Sequence, residues 1–516
     1  MALLDAYNGP WTEAEAAHLL RRTTFGCNPQ QTAQAASLGL TATLDALLKV
    51  QPAPEPPVDP TTGNTFVTGT IDLTGGNAGR YRAYIKAWWA DLMVTRQPSI
   101  TEKLTLFWMN HFVVEGVAVG HPQILYNYMA YLRSTALGSF KAMARQVTIE
   151  PAMLRYLNGN TNTKGNPNEN YARELQELFT IGKGPERASG DYTTYTEQDV
   201  REAARVLTGW RDARQTLTTV FNAAQHDTGD KSFSTAYGNR IIKGRSGADA
   251  GNAELDELIA MIFDQQATRY YIVRKLYRWF VDSDITADIE KNVIVPLGDL
   301  LHASSWNIGP VLRKLLMSRH FFSDDIRGAQ LKSPADFVVG LLRSISYQPP
   351  SDVEQRYAAG TSLANSLAAL QMDLCDPPSV AGYDATYQGP DYDRLWLNTA
   401  TLPLRNGATD VTIYGQRGRG ATFDSIAYVK SIPNASDAYA LVDTVVQRLF
   451  AVPISKDMRK TLVIDVLQQG GRDYEWTEQW EEFIANEQNA AGRTALKTKL
   501  DLFFRYIFRM AEFQLL

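Results

Sequence analysis

The 516 residues are 44% hydrophobic, and 51 Lys+Arg against 56 Asp+Glu give a formal net charge of -5. That composition supports a large buried core, and the small charge imbalance excludes electrostatic capture of nucleic acid as a dominant activity. Two cysteines, Cys27 and Cys375, exclude a disulfide framework and a cysteine-only zinc site.

The N-terminus has neither a basic n-region nor a sustained apolar run, and no stretch reaches the roughly 18 to 20 apolar residues of a membrane helix. The expectation is a cytoplasmic protein without membrane insertion. Apolar residues recur at three- and four-residue spacing along most of the chain, which predicts a mainly α fold. We expect one large multi-helix globular domain over residues 1–516, with a small β-hairpin and irregular loops.

In chain order, the spacing predicts helices from Thr12 to Arg22 and from Leu38 to Lys49, then a Pro-rich strap over 51–60. Arg21 and Arg22, with His18 a turn earlier, form a cationic helix end suited to an anionic substrate group. After the Gly75-Gly76 loop come helices from Arg80 to Val94 and from Ile100 to Phe112. The second contains Trp108, Asn110 and His111: an aromatic platform, an amide that can orient a substrate, and an imidazole able to act as base or ligand.

Helices from Tyr126 to Leu137, Ser139 to Val147 and Pro151 to Leu157 lead to a polar loop and to the densest ionisable segment of the chain, Asn168 to Gly182. Asn168 is placed as its N-cap. At α-helical spacing Asn170, Arg173, Glu174 and Glu177 share one face. Two carboxylates within a turn interact, and one then keeps its proton towards neutral pH, the arrangement general acid–base chemistry needs. The competing reading is a fastener, with Arg173, Arg201 or Arg205 neutralising the pair.

Thr196 to Asp199 has the pattern of a capping box opening the next helix, which ends near Gly209, with Trp210 just beyond as a second aromatic platform. The hairpin is expected at 221–244, around Tyr237-Gly238-Asn239. Within it His226, Asp227 and Lys231 bring imidazole, carboxylate and amine into one loop. Helices are expected from Glu254 to Phe263, Arg269 to Val281, Ile289 to Ala303, Ile308 to Met317 and Pro334 to Tyr347. Arg274, Lys275 and Arg278 form another cationic helix end. The stretch 406–421 reads as a lid or insertion, and helices resume from Ser436 to Phe450, Lys456 to Gln468 and Trp476 to Met510.

Several of these segments taken together resemble the bacterial family catalogued as domain of unknown function 1800: His18 to Gly26, Leu106 to Phe112, Asn168 to Gly182, Tyr195 to Trp210, His226 to Lys231, Tyr271 to Tyr277, Lys332 to Val338, Pro377 to Tyr383 with Trp396, and Glu512 to Gln514. The resemblance implies a fold and a genomic context, with no assigned activity. It implies pairing with a partner of the domain of unknown function 1501 family, whose export signal would carry this chain out of the cell. Many relatives have histidine where Met109 stands, and some where Phe179 stands.

The leading expectation is a hydrolase-like enzyme. Glu174 and Glu177 serve as acid and base, His111, His226 and Asp227 as proton carriers or ligands, and Arg21, Arg22, Arg173 and Lys231 as anion contacts beside Asn110, Trp108 and Trp210. His111, His226 and Asp227 also supply the donor types of a divalent zinc, iron or manganese site, although no His-Glu-x-x-His or Glu-x-x-His motif is present. The alternative is a non-catalytic scaffold or binding partner of a domain of unknown function 1501 protein.

Overall fold

The computed structural model describes residues 2–188, 191–213, 215–415 and 423–516. Among them the structure is mainly helical, with short two-stranded antiparallel ladders. No helix in it is long and apolar enough to cross a membrane.

The helix Thr101–His111 lies at the centre, with all eleven residues buried. Around it pack Asn77–Thr95, Pro122–Ser134, Phe140–Ile149 and Gln266–Phe280. Asn77–Thr95 is met closely by Val353–Ala369, a helix that periodicity does not predict. Its contact face is built of small residues rather than an apolar stripe, and a Cβ on Gly360 would stand 2.5 Å from the Ala87 carbonyl oxygen.

The first helix, Glu13–Thr23, is fixed at its start by a capping box between Thr12 and Glu15. The second predicted helix, Leu38 to Lys49, is present as Leu40–Leu47; an unpredicted helix, Pro29–Leu38, precedes it, and Gly39 at φ +83° separates the two. The strap over 51–60 is tied down through backbone carbonyls: Trp88 donates to Glu55 at 2.9 Å and Arg133 to Pro52 at 3.3 Å. In the predicted hairpin region Lys231–Ser232 pairs with Ile241–Ile242, and a longer ladder of Trp210–Ala213 with Thr218–Phe221 immediately precedes it.

The stretch expected to be a lid or insertion is different. Residues 406–414 belong to a regular helix, Thr401–Tyr414, and its glycine, Gly407, sits inside that helix with open space around it. The remainder, 416–421, lies outside the described residues. The long helix expected from Trp476 to Met510 is two, Asp473–Ala485 and Ala490–Arg509, separated where Asn486 leaves the helical conformation at φ -144°.

Both ends of the chain dock on one internal segment, residues 317–332. The Tyr7 amide donates to the Met317 carbonyl at 2.8 Å and the Arg319 amide to Asp5 at 2.8 Å; the Leu516 amide donates to Gln330 at 2.8 Å and the Lys332 amide to Gln514 at 2.7 Å.

Candidate functional site

The helix beginning at Glu169 is capped by Asn168, whose side chain accepts from the Asn170 amide at 3.0 Å. At Leu175 it widens into a π turn, Leu175–Thr180, before ending at Gly182, which takes φ +79°. Such turns leave carbonyl groups without their usual helical partners. Here the Leu178 carbonyl accepts from Tyr271 Oη at 2.9 Å, and the Phe179 carbonyl accepts from His111 Nε2 at 2.9 Å.

The side chains that α-helical spacing would put on one face take different partners. Arg173 forms a two-pronged pair with Glu197, at 2.5 and 2.7 Å, and reaches Glu169 at 3.3 Å. Glu177 accepts from Tyr195 Oη at 2.8 Å and lies 3.6 Å from Lys183 Nζ. Glu174 has neither an ion-pair nor a hydrogen-bond partner among the described residues. Burial, reinforced by the charge of Glu177 and only partly offset by Arg173, pushes its carboxyl up to about 7.

His111 is 2% exposed. Because Nε2 faces a carbonyl oxygen it carries the proton, and Nδ1 presents its lone pair to Lys275 Nζ, 3.3 Å away. Burial and the neighbouring Lys275 charge hold the imidazole well below its ordinary range. It is a neutral, doubly engaged core histidine rather than the proton carrier expected. Asn110 is likewise engaged, accepting from the Tyr383 amide at 2.8 Å and donating to Thr386 at 3.0 Å.

The loop group forms a separate, closed cluster. His226 and Lys231 are buried against Glu254, with Nε2 at 3.1 Å from one carboxylate oxygen and Nζ at 2.5 Å from the other. The His226 approach is an ion-pair distance with poor hydrogen-bond angles; its Nδ1 lies 2.9 Å from the Thr208 carbonyl. Burial opposes the charge of Glu254, yet His226 and Lys231 together hold it below the usual carboxylate range. Asp227 is turned away from this cluster onto Arg205, at 2.8 and 3.2 Å, and accepts the Gly229 amide.

The metal centre expected from His111, His226 and Asp227 is therefore not assembled, because each has different partners. No group of three or more His, Cys, Asp or Glu among the described residues is arranged to hold a metal ion.

The expected anion contacts and platforms are structural. Arg21 donates to the carbonyls of Phe450 at 2.7 Å and Arg448 at 2.8 Å, closing the end of the helix Ala438–Leu449. Arg22 is fully buried, bound to Gln330 and to the Ile326 carbonyl. Trp108 donates to Ala136 at 2.9 Å within the core, and Trp210 packs on Phe221 with ring centroids 5.0 Å apart.

Sequence reading missed Glu254, which joins His226 to Lys231 from a helix beginning some twenty residues further on, and Tyr195, which orients Glu177. It marked Lys275 only as part of a cationic end. The signal for more was available, since no acidic residue lies three or four positions from Lys275 on its own helix.

A family model described as protein of unknown function (DUF1800) matches residues 18–515. No curated protein and no solved structure matches the chain.

Proposed function

Taking as premise that the chain belongs to the DUF1800 family, we propose that it is an acid–base enzyme, hydrolytic in class, with Glu174 as its proton-transferring group and Glu177 as the adjacent ion-paired carboxylate. The observation that carries this reading is the isolation of Glu174: a half-buried carboxyl without a partner, raised to about 7, beside a second carboxylate with two partners. Two acids whose surroundings differ in this way divide the roles of acid and base. At neutral pH Glu174 is present in both protonation states, so it can donate a proton to a leaving group or take one from water. Tyr195 fixes the orientation of Glu177.

The test is hydrolysis of ester, amide and glycoside reporters by the wild type and by Glu174→Gln, across pH 5 to 9. The expected result is turnover on one class with an ionisation near 7, reduced on the order of a hundredfold or more in the variant. Equal rates in a folded Glu174→Gln protein would overturn the proposal.

One observation favours a second reading, a non-catalytic scaffold that binds a domain of unknown function 1501 protein. Arg173, Arg205, Asp227, Lys231 and Glu254 are all engaged with one another or with close neighbours, as in an ion-pair fastener. No turnover on any reporter, together with one-to-one co-purification of the two proteins, would select it.

A further inference from the structure

The helix Gln266–Phe280 borders a cavity of about 70 Å³. Of its cations, Arg274 pairs with Glu290 at 2.9 and 2.5 Å. Lys275 and Arg278, one turn apart, both line the cavity, and neither has a carboxylate within ion-pair distance among the described residues. Lys275 Nζ has long hydrogen-bond contacts, 3.3 Å to His111 Nδ1 and 3.5 Å to the Leu178 carbonyl, and lies 5.1 Å from the centre of the Tyr271 ring. Arg278 stacks over the Tyr392 ring at 4.6 Å and uses Nε on the Ser283 carbonyl at 3.3 Å, leaving its terminal nitrogens without an acidic partner.

Two further groups on the same walls are buried without hydrogen-bond partners, the Trp279 indole N–H and Asp393 Oδ1. A buried donor and a buried acceptor left unpaired are costly, and here they belong to residues that line the same small space as an amine and a guanidinium. The volume equals a few water-sized positions, which sets the ligand at a few non-hydrogen atoms. Arginine and indole donors suit a carboxylate. The neighbouring amine suits a carbonyl carbon, because burial and the charge of Arg278 bring Lys275 down to about 7, where much of it is uncharged at neutral pH.

We propose that this cavity binds a small 2-oxo carboxylic acid, its carboxylate held by Arg278 and Trp279, and that Lys275 forms an imine with its carbonyl group. The Nζ lone pair attacks the carbonyl carbon; a C–N bond forms while the C=O π pair moves to oxygen. That oxygen gains a proton and the nitrogen loses one, giving a carbinolamine whose hydroxyl Asp393 Oδ1 accepts. Departure of that hydroxyl as water, with a second nitrogen proton lost, leaves C=N. No oxidant or reductant takes part. His111 is a positioning residue, its Nδ1 holding one amine hydrogen so that the nitrogen faces the cavity. The proposal does not depend on Glu174.

The test is trapping with sodium cyanoborohydride in the presence of pyruvate, read by intact mass and peptide mapping on the full chain. One adduct is expected, on the peptide carrying Lys275, and its loss is expected in Lys275→Met. Arg278→Gln should lower trapping of pyruvate by about tenfold or more relative to acetaldehyde, which lacks the carboxylate and registers only the rise of Lys275 that follows loss of the Arg278 charge. Circular dichroism confirms that each variant is folded; if Lys275→Met is not, the pyruvate-to-acetaldehyde ratio in Arg278→Gln decides. Absence of a Lys275 adduct in the wild type, or equal loss of both probes in folded Arg278→Gln, would overturn the proposal.

Discussion

Glu174 is flanked by two carboxylates that have partners: Glu169 has Arg173, and Glu177 has Tyr195 and Lys183. Its isolation has a thermodynamic signature. A carboxyl raised from the ordinary 4.5 to about 7 binds more protons in the folded chain than in the unfolded one between those values, so stability falls as pH rises through that window and stays lower above it. Because Glu174 is partly open to solvent, the loss is on the order of 1 kcal/mol rather than the full linkage value. Glu174→Gln keeps the uncharged shape. Urea unfolding should therefore give equal midpoints for variant and wild type near pH 4, below the window, and a higher midpoint for the variant near pH 8. A lower midpoint at pH 8 would mean that the ionised side chain makes a favourable contact, contrary to the geometry described. The sequence made this residue visible as one of two nearby acids, but not its isolation. Local spacing could not anticipate a π turn, and the partners that select Arg173 and Glu177 come from Glu197, Tyr195 and Lys183.

At the scale of elements, buried cations close helix ends. Arg343 donates to the carbonyls of Met93, Val94 and Arg96 at 3.2, 3.0 and 2.9 Å, where the helix Asn77–Thr95 stops, and to Gly26 at 2.7 Å. Arg21 does the same for Ala438–Leu449. Terminal carbonyls inside a core need such donors. Arg343→Met should cost about 2 to 4 kcal/mol by leaving several of them unpaired. Arg343→Lys should recover less than half of that, since one ammonium cannot span carbonyls a fork of five N–H groups reaches. Thermal and urea denaturation of the two variants would check both values. Full recovery by lysine would show that charge alone matters. Long periodic helices and their caps, such as Asn168 and the Thr196 box, were legible because their determinants lie within four residues. Arg21 was misread as an anion clamp because its acceptors lie more than four hundred positions away. Val353–Ala369 went unread because small residues pack it and leave no apolar stripe.

For the whole molecule, Arg21 joins the first helix to the C-terminal helices, which otherwise pack largely on one another: Ser425–Lys430 and Asp473–Ala485 both lie against Ala490–Arg509. Arg21→Met should therefore loosen that region selectively. Amide hydrogen exchange at residues 447–450 should speed up by about tenfold or more while the Thr101–His111 helix keeps its protection. Uniform acceleration throughout would instead place the two regions in one cooperative unit. The docking of both chain ends on residues 317–332 bears on the order in which the protein is made. The ribosome delivers residues 2–7 early and the receiving segment midway, yet residues 514–516 complete its edge only after every intervening helix has been synthesised. Until then the Lys332 and Gly328 amides lack their acceptors, so this region reaches its final form only once residues 514–516 have been made, and a nascent chain stalled before them would expose an incomplete edge to other chains.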